Sequence, residues 1–380
     1  SSAFKIANYI TSIMPDTKTL EEAMDISSEF RKYMEKYPKL YEYATKLQGL
    51  TRNWATHAAG YVIGDRPLYE LVPLRIDKDG VLATQWEKTR TEDNGLIKMD
   101  ILGLNTLTQI NEALEIIEER HGKAIAMDEI PVDDEKTFEN ISNGNNIGVF
   151  QLESSLSPLC QKIKPKDVRM ISDINALGRP SCSAQDRKDY VRRRFGVEKV
   201  KYRDPSLAGA LESTFGVSLY EEGMMRIAKD CAGWDLNQAD ALRKITKLKG
   251  KDKDLVLRTE TSFIKDCMAV SGMKYKKAKE IWDFEIMPFG EYGFNLSHSV
   301  AYSHISVYTA WLKTNYPTEF MCSLLNSENS NSDKSQTYLS ACKKMEIKIL
   351  PPHINNSNEK YRVSDNSSLY SGFSCVKGVG

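Results

Sequence analysis

Lys98 and Asp100 stand two apart in GLIKMDILGL, and strand alternation puts them on one face with Ile97, Met99 and Ile101 on the other. Burial of the apolar face would leave a lysine beside a carboxylate, between Gly95 and Gly103. Metal-assisted phosphoryl transfer uses carboxylates on rigid strands to hold two Mg²⁺ ions about 4 Å apart. A neighbouring lysine suits a phosphate. The plainer alternative is a half-exposed strand whose polar face carries a Lys and an Asp.

The elements around that pair change character along the chain. Up to about Leu50 the pattern is helical, with Ile6, Ile10 and Ile13 and then Phe30, Met34 and Tyr37 at turn spacing. YVIG, LVPLRI and VLATQW then read as short strands, with DKDG as a hairpin turn between the last two. A long helix follows, with Leu107, Ile110, Leu114 and Ile117 on one face and Gly122 at its C-terminal cap. From there to about Leu350 the text reads almost wholly helical, and after Pro351 it turns strand-like in YRVSDNSSLYSGF. The fold class expected is α+β, predominantly helical, with a small sheet unit near residue 100.

Size and composition bound the rest. A chain of 380 residues holds two or three domains, and 41% apolar with 27% charged residues is ordinary globular composition. No apolar run approaches the roughly 20 residues of a membrane span, and the first residues do not read as a signal peptide. The seven cysteines lie singly, without CxxC or Cys/His spacing, so reduced thiols in a cytoplasmic protein are expected. Net charge is zero, which argues weakly against nucleic acid as a partner. Local runs such as RKDYVRRRFGVEKVKYR and LRKITKLKGKDK leave room for a basic face, and solvated helix faces give the same counts.

A series of longer segments carries a specific resemblance. TRNWATHAAGYVI, GLIKMDILGLNTLTQIN, GVFQLESS, INALGRP, YEEGMMRIAKDCAGWDLNQADALRK, FGEYGFNLSHSVAYSHISVYTAWLKTNYPTEFMCSLLNS and LPPHIN occur in this order. Together they are similar to the family C replicative DNA polymerases, the DNA polymerase III alpha-subunit family, over essentially the whole chain. GEYGFNxSHS and KxDxLGL are highly specific in combination.

The resemblance implies a palm like the nucleotidyltransferase fold of polymerase β, with three catalytic aspartates. One lies in KxDxLGL and is Asp100 here, a metal ligand with Lys98 beside it; the other two lie in PDxDxDF, which is absent from these 380 residues. It implies residues 1–50 as thumb, 51–104 as partial palm, 105–350 as fingers and 351–380 as a tail leading toward a helix-hairpin-helix region. Arg179, Phe294, Asn295, Ser297 and His298 are implied nucleotide contacts, the last four in a loop leading to a helix that opens at Ser299 and favours anions. Arg52, His57, Arg243, Lys244, Lys247 and Lys249 are implied DNA contacts. The implied reaction is template-directed addition of dNTPs to a primer 3′-hydroxyl, with two Mg²⁺ ions.

Implied partners are primer-template DNA, dNTPs, a complementing N-terminal fragment that supplies the two missing aspartates, a C-terminal fragment and a sliding clamp. The chain alone is expected not to polymerise. Its start at Ser fits a split gene, an intein-interrupted precursor or a cloned fragment equally. Several positions depart from the family pattern. RPGP reads RPSC from Arg179 on, Leu296 stands where a basic residue is usual, Thr56 replaces a common lysine, and Gly223 replaces a Gln. These departures fit a divergent, phage-encoded member with reduced nucleotide affinity. They also motivate the alternative, a catalytically inactive DNA-binding or scaffolding homologue.

Overall fold

The computed structural model describes residues 2–15, 19–51, 54–57, 59–101, 103–179, 182–248, 252–289, 293–328, 333–376 and 378–379. The chain divides into two compact units, Ser1–Gly103 and Leu104–Gly380.

The first unit opens with four helices, α1 (Ser2–Ile13), α2 (Leu20–Ile26), α3 (Ser28–Lys36) and α4 (Pro38–Leu47). Ser27 ends one helix and starts the next. Its N–H donates to the Ala23 carbonyl, while its hydroxyl accepts from Phe30 N at 3.1 Å. Ile10, Ala23, Phe30 and Met34 form the small core of these helices, with Ile6, Ile13 and Tyr37 at its edge, as the turn spacing predicts.

Two short two-stranded antiparallel sheets follow. Strands β2 (Leu74–Ile76) and β3 (Leu82–Thr84) form the hairpin expected at DKDG, with Asp77 Oδ1 accepting from Asp79 N and Val81 N. Strand β1 (Gly60–Ile63) pairs with β4 (Ile97–Asp100), which follows α5 (Lys88–Asp93). The register sets Gly60 opposite Asp100 and Val62 opposite Lys98. Here the burial expectation is inverted. Ile97, Met99 and Ile101 are 65%, 52% and 67% exposed, and Tyr61 and Ile63 lie open beside them. A two-stranded ribbon has too little area to bury a face by itself, so the apolar side stays open. The Lys98 stem lies across Gly60 instead, and only 13% of its side chain is exposed.

The second unit is helical around one long helix. Its elements in order are α6 (Asn105–His121), α7 (Glu135–Ser142), α8 (Ser157–Ile163), α9 (Val168–Leu177), α10 (Ala184–Arg194), α11 (Ala208–Leu211), α12 (Glu221–Ala232), α13 (Leu236–Ile245), α14 (Lys253–Val270) and α15 (Tyr275–Ile281). A π-helical turn at Trp282–Ile286 precedes α16 (Leu296–Asn315), α17 (Pro317–Asn326) and α18 (Asp333–Lys344). Gly122 ends α6 at φ 63°, as expected of its cap. Strand text starts earlier than the sequence indicates: β5 (Lys348–Leu350) runs parallel to β7 (Ser368–Tyr370), which pairs antiparallel with β6 (Arg362–Asp365).

Helix α16 is the spine and packs against α6, α7, α9 and α17. Its buried positions include Ser299, Ser303, Ser306 and Thr309, small residues that let α9 approach closely. Ser303, Ser306 and Thr309 donate their hydroxyls to carbonyls four residues back, and Ser303 Oγ also accepts from Asn175 Nδ2 of α9 at 3.1 Å. One buried charge sits at this contact. Asp173 of α9 accepts from Tyr190 Oη at 2.7 Å and Tyr220 Oη at 2.6 Å, and burial pushes its carboxyl up to about 6 against the pull of the two phenols.

The basic run of α10 is mostly structural. Arg187 donates to the carbonyls of Leu177 and Arg179 at the end of α9, and Arg194 donates to those of Ile163 and Lys164 at the end of α8. Arg193 donates to the Phe215 carbonyl and pairs with Asp189. These guanidiniums satisfy orphan helix-end carbonyls instead of forming an open basic face. All seven cysteines are unbridged, as expected. Among the described residues no helix is long and apolar enough to cross a membrane.

Candidate metal and nucleotide sites

In the first unit, Asp100, Lys98 and His57 converge on the open side of Gly60. A Cβ at Gly60 would stand 2.7 Å from Lys98 Cε, 3.0 Å from His57 Nδ1 and 3.1 Å from Asp100 Oδ1. Glycine is therefore required for the three to meet, a constraint the sequence signals only as a Gly at the head of a strand. Lys98 Nζ donates to Asp100 Oδ1, and His57 Nδ1 lies 3.9 Å from the same oxygen. Ala59 N donates to His57 Nδ1 at 3.2 Å.

The hydrogen bond from Lys98 holds the Asp100 carboxyl below the ordinary carboxylate range. The charges of Lys98, His57 and Lys88 add to it, and partial desolvation opposes it. Asp100 is thus ionised at neutral pH, as a metal ligand must be. The donor set is incomplete, because among the described residues no group of three His, Cys, Asp or Glu side chains could hold a metal ion. One carboxylate already bonded to a lysine does not make a two-metal site. Thr56, which departs from the lysine common in the family, donates to Asp77 Oδ2 at 2.7 Å and ties this segment to the hairpin. Arg52 lies outside the described residues.

The second unit brings Arg179, Phe294 and His298 to one cleft of about 340 Å³, lined also by Gln151, Ser154, Asn175 and Tyr302. Arg179, just past the end of α9, places its guanidinium carbon 4.6 Å from the Phe294 ring centroid. It has no carboxylate partner among the described residues, so its N–H fork is available to an anion. The ring of His298 lies between Phe294, at 5.9 Å, and Tyr302, at 4.2 Å. Phe294 is fixed by backbone pairing with Tyr220: Glu221 N donates to Phe294 O at 2.9 Å and Phe294 N to Leu219 O at 3.3 Å. Gln151 adopts φ 63° at the rim.

The helix after this loop opens at Leu296, three residues before the expected Ser299, because Asn295 caps it. Asn295 Oδ1 accepts from His298 N at 2.8 Å and from Ser297 Oγ at 2.7 Å. Asn295 and Ser297 thus shape the loop and do not line the cleft. The expected open anion site at this helix start is also filled. Glu222 accepts from Leu296 N at 2.9 Å and from Asn295 Nδ2 at 3.1 Å, so a carboxylate of the chain already satisfies those donors. Glu222, Tyr302 and Gln151 were missed in the sequence; the paired acids of YEEG are the signal that could have raised Glu222. A second cleft of about 350 Å³ contains none of the expected residues. Its Lys313 donates to the carbonyls of Asn145 and Ile147, and burial lowers that amine to about 8.

Comparison with known proteins matches both units. Residues 2–103 match the bacterial DNA polymerase III alpha NTPase domain, and residues 106–270 match the bacterial DNA polymerase III alpha subunit finger domain. The chain belongs to the bacterial DNA polymerase III alpha-subunit family. It is similar to the DNA polymerase III subunit alpha of Aquifex aeolicus, at 40% identity over 94% of this chain and 31% of that protein. That of Campylobacter jejuni is 38% identical over 95% of this chain and 31% of its own length, and that of Bacillus subtilis is 37% identical over 99% and 34%. The chain therefore spans about a third of the length of the curated relatives it matches.

Within the finger-domain match, the expected DNA contacts are differently placed. Lys247 Nζ is 3.0 Å and Arg243 Nη1 is 3.6 Å from the buried Glu221 carboxylate, and Arg243 also pairs with Asp240 at 3.1 Å. Lys244 is exposed. Lys249 lies outside the described residues.

Proposed function

We propose that this chain is the part of a DNA-directed DNA polymerase that binds the incoming dNTP and contributes one carboxylate to the metal centre. The observation that carries the reading is the convergence on one cleft of Arg179 with Phe294 and His298, which lie more than a hundred positions later in sequence. In it the Arg179 fork meets the triphosphate and the aromatic rings meet the nucleoside. The Phe294–Asn295–Leu296 turn, locked by Glu222, keeps the rings in place.

Asp100 serves as metal ligand on a palm strand of the nucleotidyltransferase type, and Lys98 offsets charge next to it. Asp100 would hold one edge of a Mg²⁺ centre completed by carboxylates from outside the described residues, where Mg²⁺ would supply charge neutralisation for phosphoryl transfer. Residues 1–50 act as thumb, 51–104 as partial palm and 105–350 as fingers. His57 and Lys244 contact the primer-template backbone, so DNA affinity falls with salt.

The experiment is Mg²⁺-dependent primer extension by this chain mixed with a polypeptide bearing PDxDxDF. Extension in the mixture supports the polymerase. A mixture that associates and binds DNA without extending it turns the assignment toward the inactive scaffold.

A further inference from the structure

We propose that Arg187 is a positioning residue of the nucleotide cleft, fixing from α10 the backbone that carries Arg179. The inference rests on the cleft being the nucleotide site. Arg179 follows the last residue of α9 by two, where a helix leaves its final carbonyls without intrahelical partners. Arg187 supplies them: Nε donates to Leu177 O at 2.7 Å and Nη2 to Arg179 O at 2.8 Å. Two parallel N–H groups of one planar fork thus hold the carbonyls on either side of Gly178. The Arg179 carbonyl also accepts from Cys182 N at 3.1 Å, closing the turn that leads into α10.

Arg187 is itself anchored. Its N–H donates to the Ser183 carbonyl, and Ser183 caps α10 by accepting from Asp186 N at 3.0 Å. The result is a closed loop: α9 ends, the chain turns, and the first turn of α10 reaches back to set the direction in which residue 179 leaves the helix. Opposite it, Phe294 is held by its pairing with Tyr220, so the 4.6 Å stack of Arg179 on Phe294 is fixed from both sides. A rigid Pro-Gly turn after Arg179 would do this job with backbone alone. Here Pro180, Ser181 and Cys182 follow Arg179 in place of such a turn, and a side chain does it.

Arg187 does not line the cleft, so its effect on a nucleotide passes through Arg179. A lysine at 187 keeps the charge but presents a point donor that cannot span the two carbonyls in the same geometry.

The test is titration of the chain with dATP and with deoxyadenosine, using Arg179→Ala, Arg187→Ala, Arg187→Lys and the double alanine variant, each checked for folding by thermal melting. The expected result is about tenfold weaker dATP binding for Arg187→Ala, unchanged deoxyadenosine binding, and a double variant no weaker than Arg179→Ala alone. Arg187→Lys is expected to behave as Arg187→Ala, and it carries the test if the alanine variant melts within the assay range. Additive losses, or full recovery with lysine, would overturn the inference. So would an unaffected Arg187→Ala alongside a weakened Arg179→Ala, and that outcome leaves the nucleotide reading standing. Failure of the unsubstituted chain to bind dATP overturns both.

Discussion

At the Asp100 strand the chain supplies one carboxylate, one lysine and one histidine around a glycine, on a two-stranded ribbon whose apolar face is open. At the Arg179 cleft it supplies walls from α9, α16 and the Tyr220–Phe294 pairing, each locked by its own hydrogen bonds. The first is a fragment of a site, in which Lys98 donates to its one carboxylate. The second is assembled by a single unit of the chain. On the proposed reading, binding and chemistry are separable: the cleft is complete within one unit of the chain, and the strand carries one carboxylate of a larger site.

The largest effect expected is on chemistry. Asp100→Asn should lower extension by a complemented mixture about a thousandfold, as loss of a metal ligand does, while leaving dATP binding to the cleft unchanged. A parallel loss of both would break the separation. Next is Gly60→Ala, whose methyl would meet Lys98, His57 and Asp100 at 2.7 to 3.1 Å. Extension should fall by about a hundredfold with no shift in the melting of the helical unit. Wild-type extension by this variant would show that the three side chains need not converge on that glycine.

Two predictions sharpen the other half of the comparison. Tyr220→Phe leaves the buried Asp173 with one phenol fewer and should lower unfolding stability by about 1 to 3 kcal/mol in a urea titration. The same carboxyl gives a pH signature. Burial raises it from 3.8 to about 6 in the folded state, so between those values the folded chain retains a proton that the unfolded chain releases. Its contribution to stability is therefore full below about pH 4, declines up to about pH 6 and is constant above. Urea titrations across that range should show the decline, and Asp173→Asn should remove it. The smallest effect is at Lys244, whose replacement by Ala should reduce the salt dependence of DNA binding by about one counterion. Lys247→Ala should act mainly on stability, since that amine pairs with the buried Glu221.

Much of the fold was legible because it rests on local signals. The Gly122 cap, the DKDG hairpin and the turn-spaced apolar residues of the first helices and of α6 from Ile110 on reappear in the structure, while Leu107, expected on the same face, is exposed. β4 was legible as a strand, but its burial was read the wrong way round. Alternation fixes which residues share a face and says nothing about which face finds cover. The arginines of α10 show a second limit: a basic run looks the same whether its guanidiniums meet solvent or helix-end carbonyls, and only the tertiary position of α8 and α9 decides. Glu222 at the start of α16 and Arg187 behind Arg179 are long-range partners for the same reason. Motif residues could be named from sequence; the side chains that hold them could not.

The most direct test of the separation is to measure dATP binding and Mg²⁺-dependent primer extension on the same preparation of this chain, first alone and then with a polypeptide bearing PDxDxDF. The account predicts dATP binding in both cases and extension only in the mixture. Extension by the chain alone, or dATP binding that appears only on mixing, would contradict it.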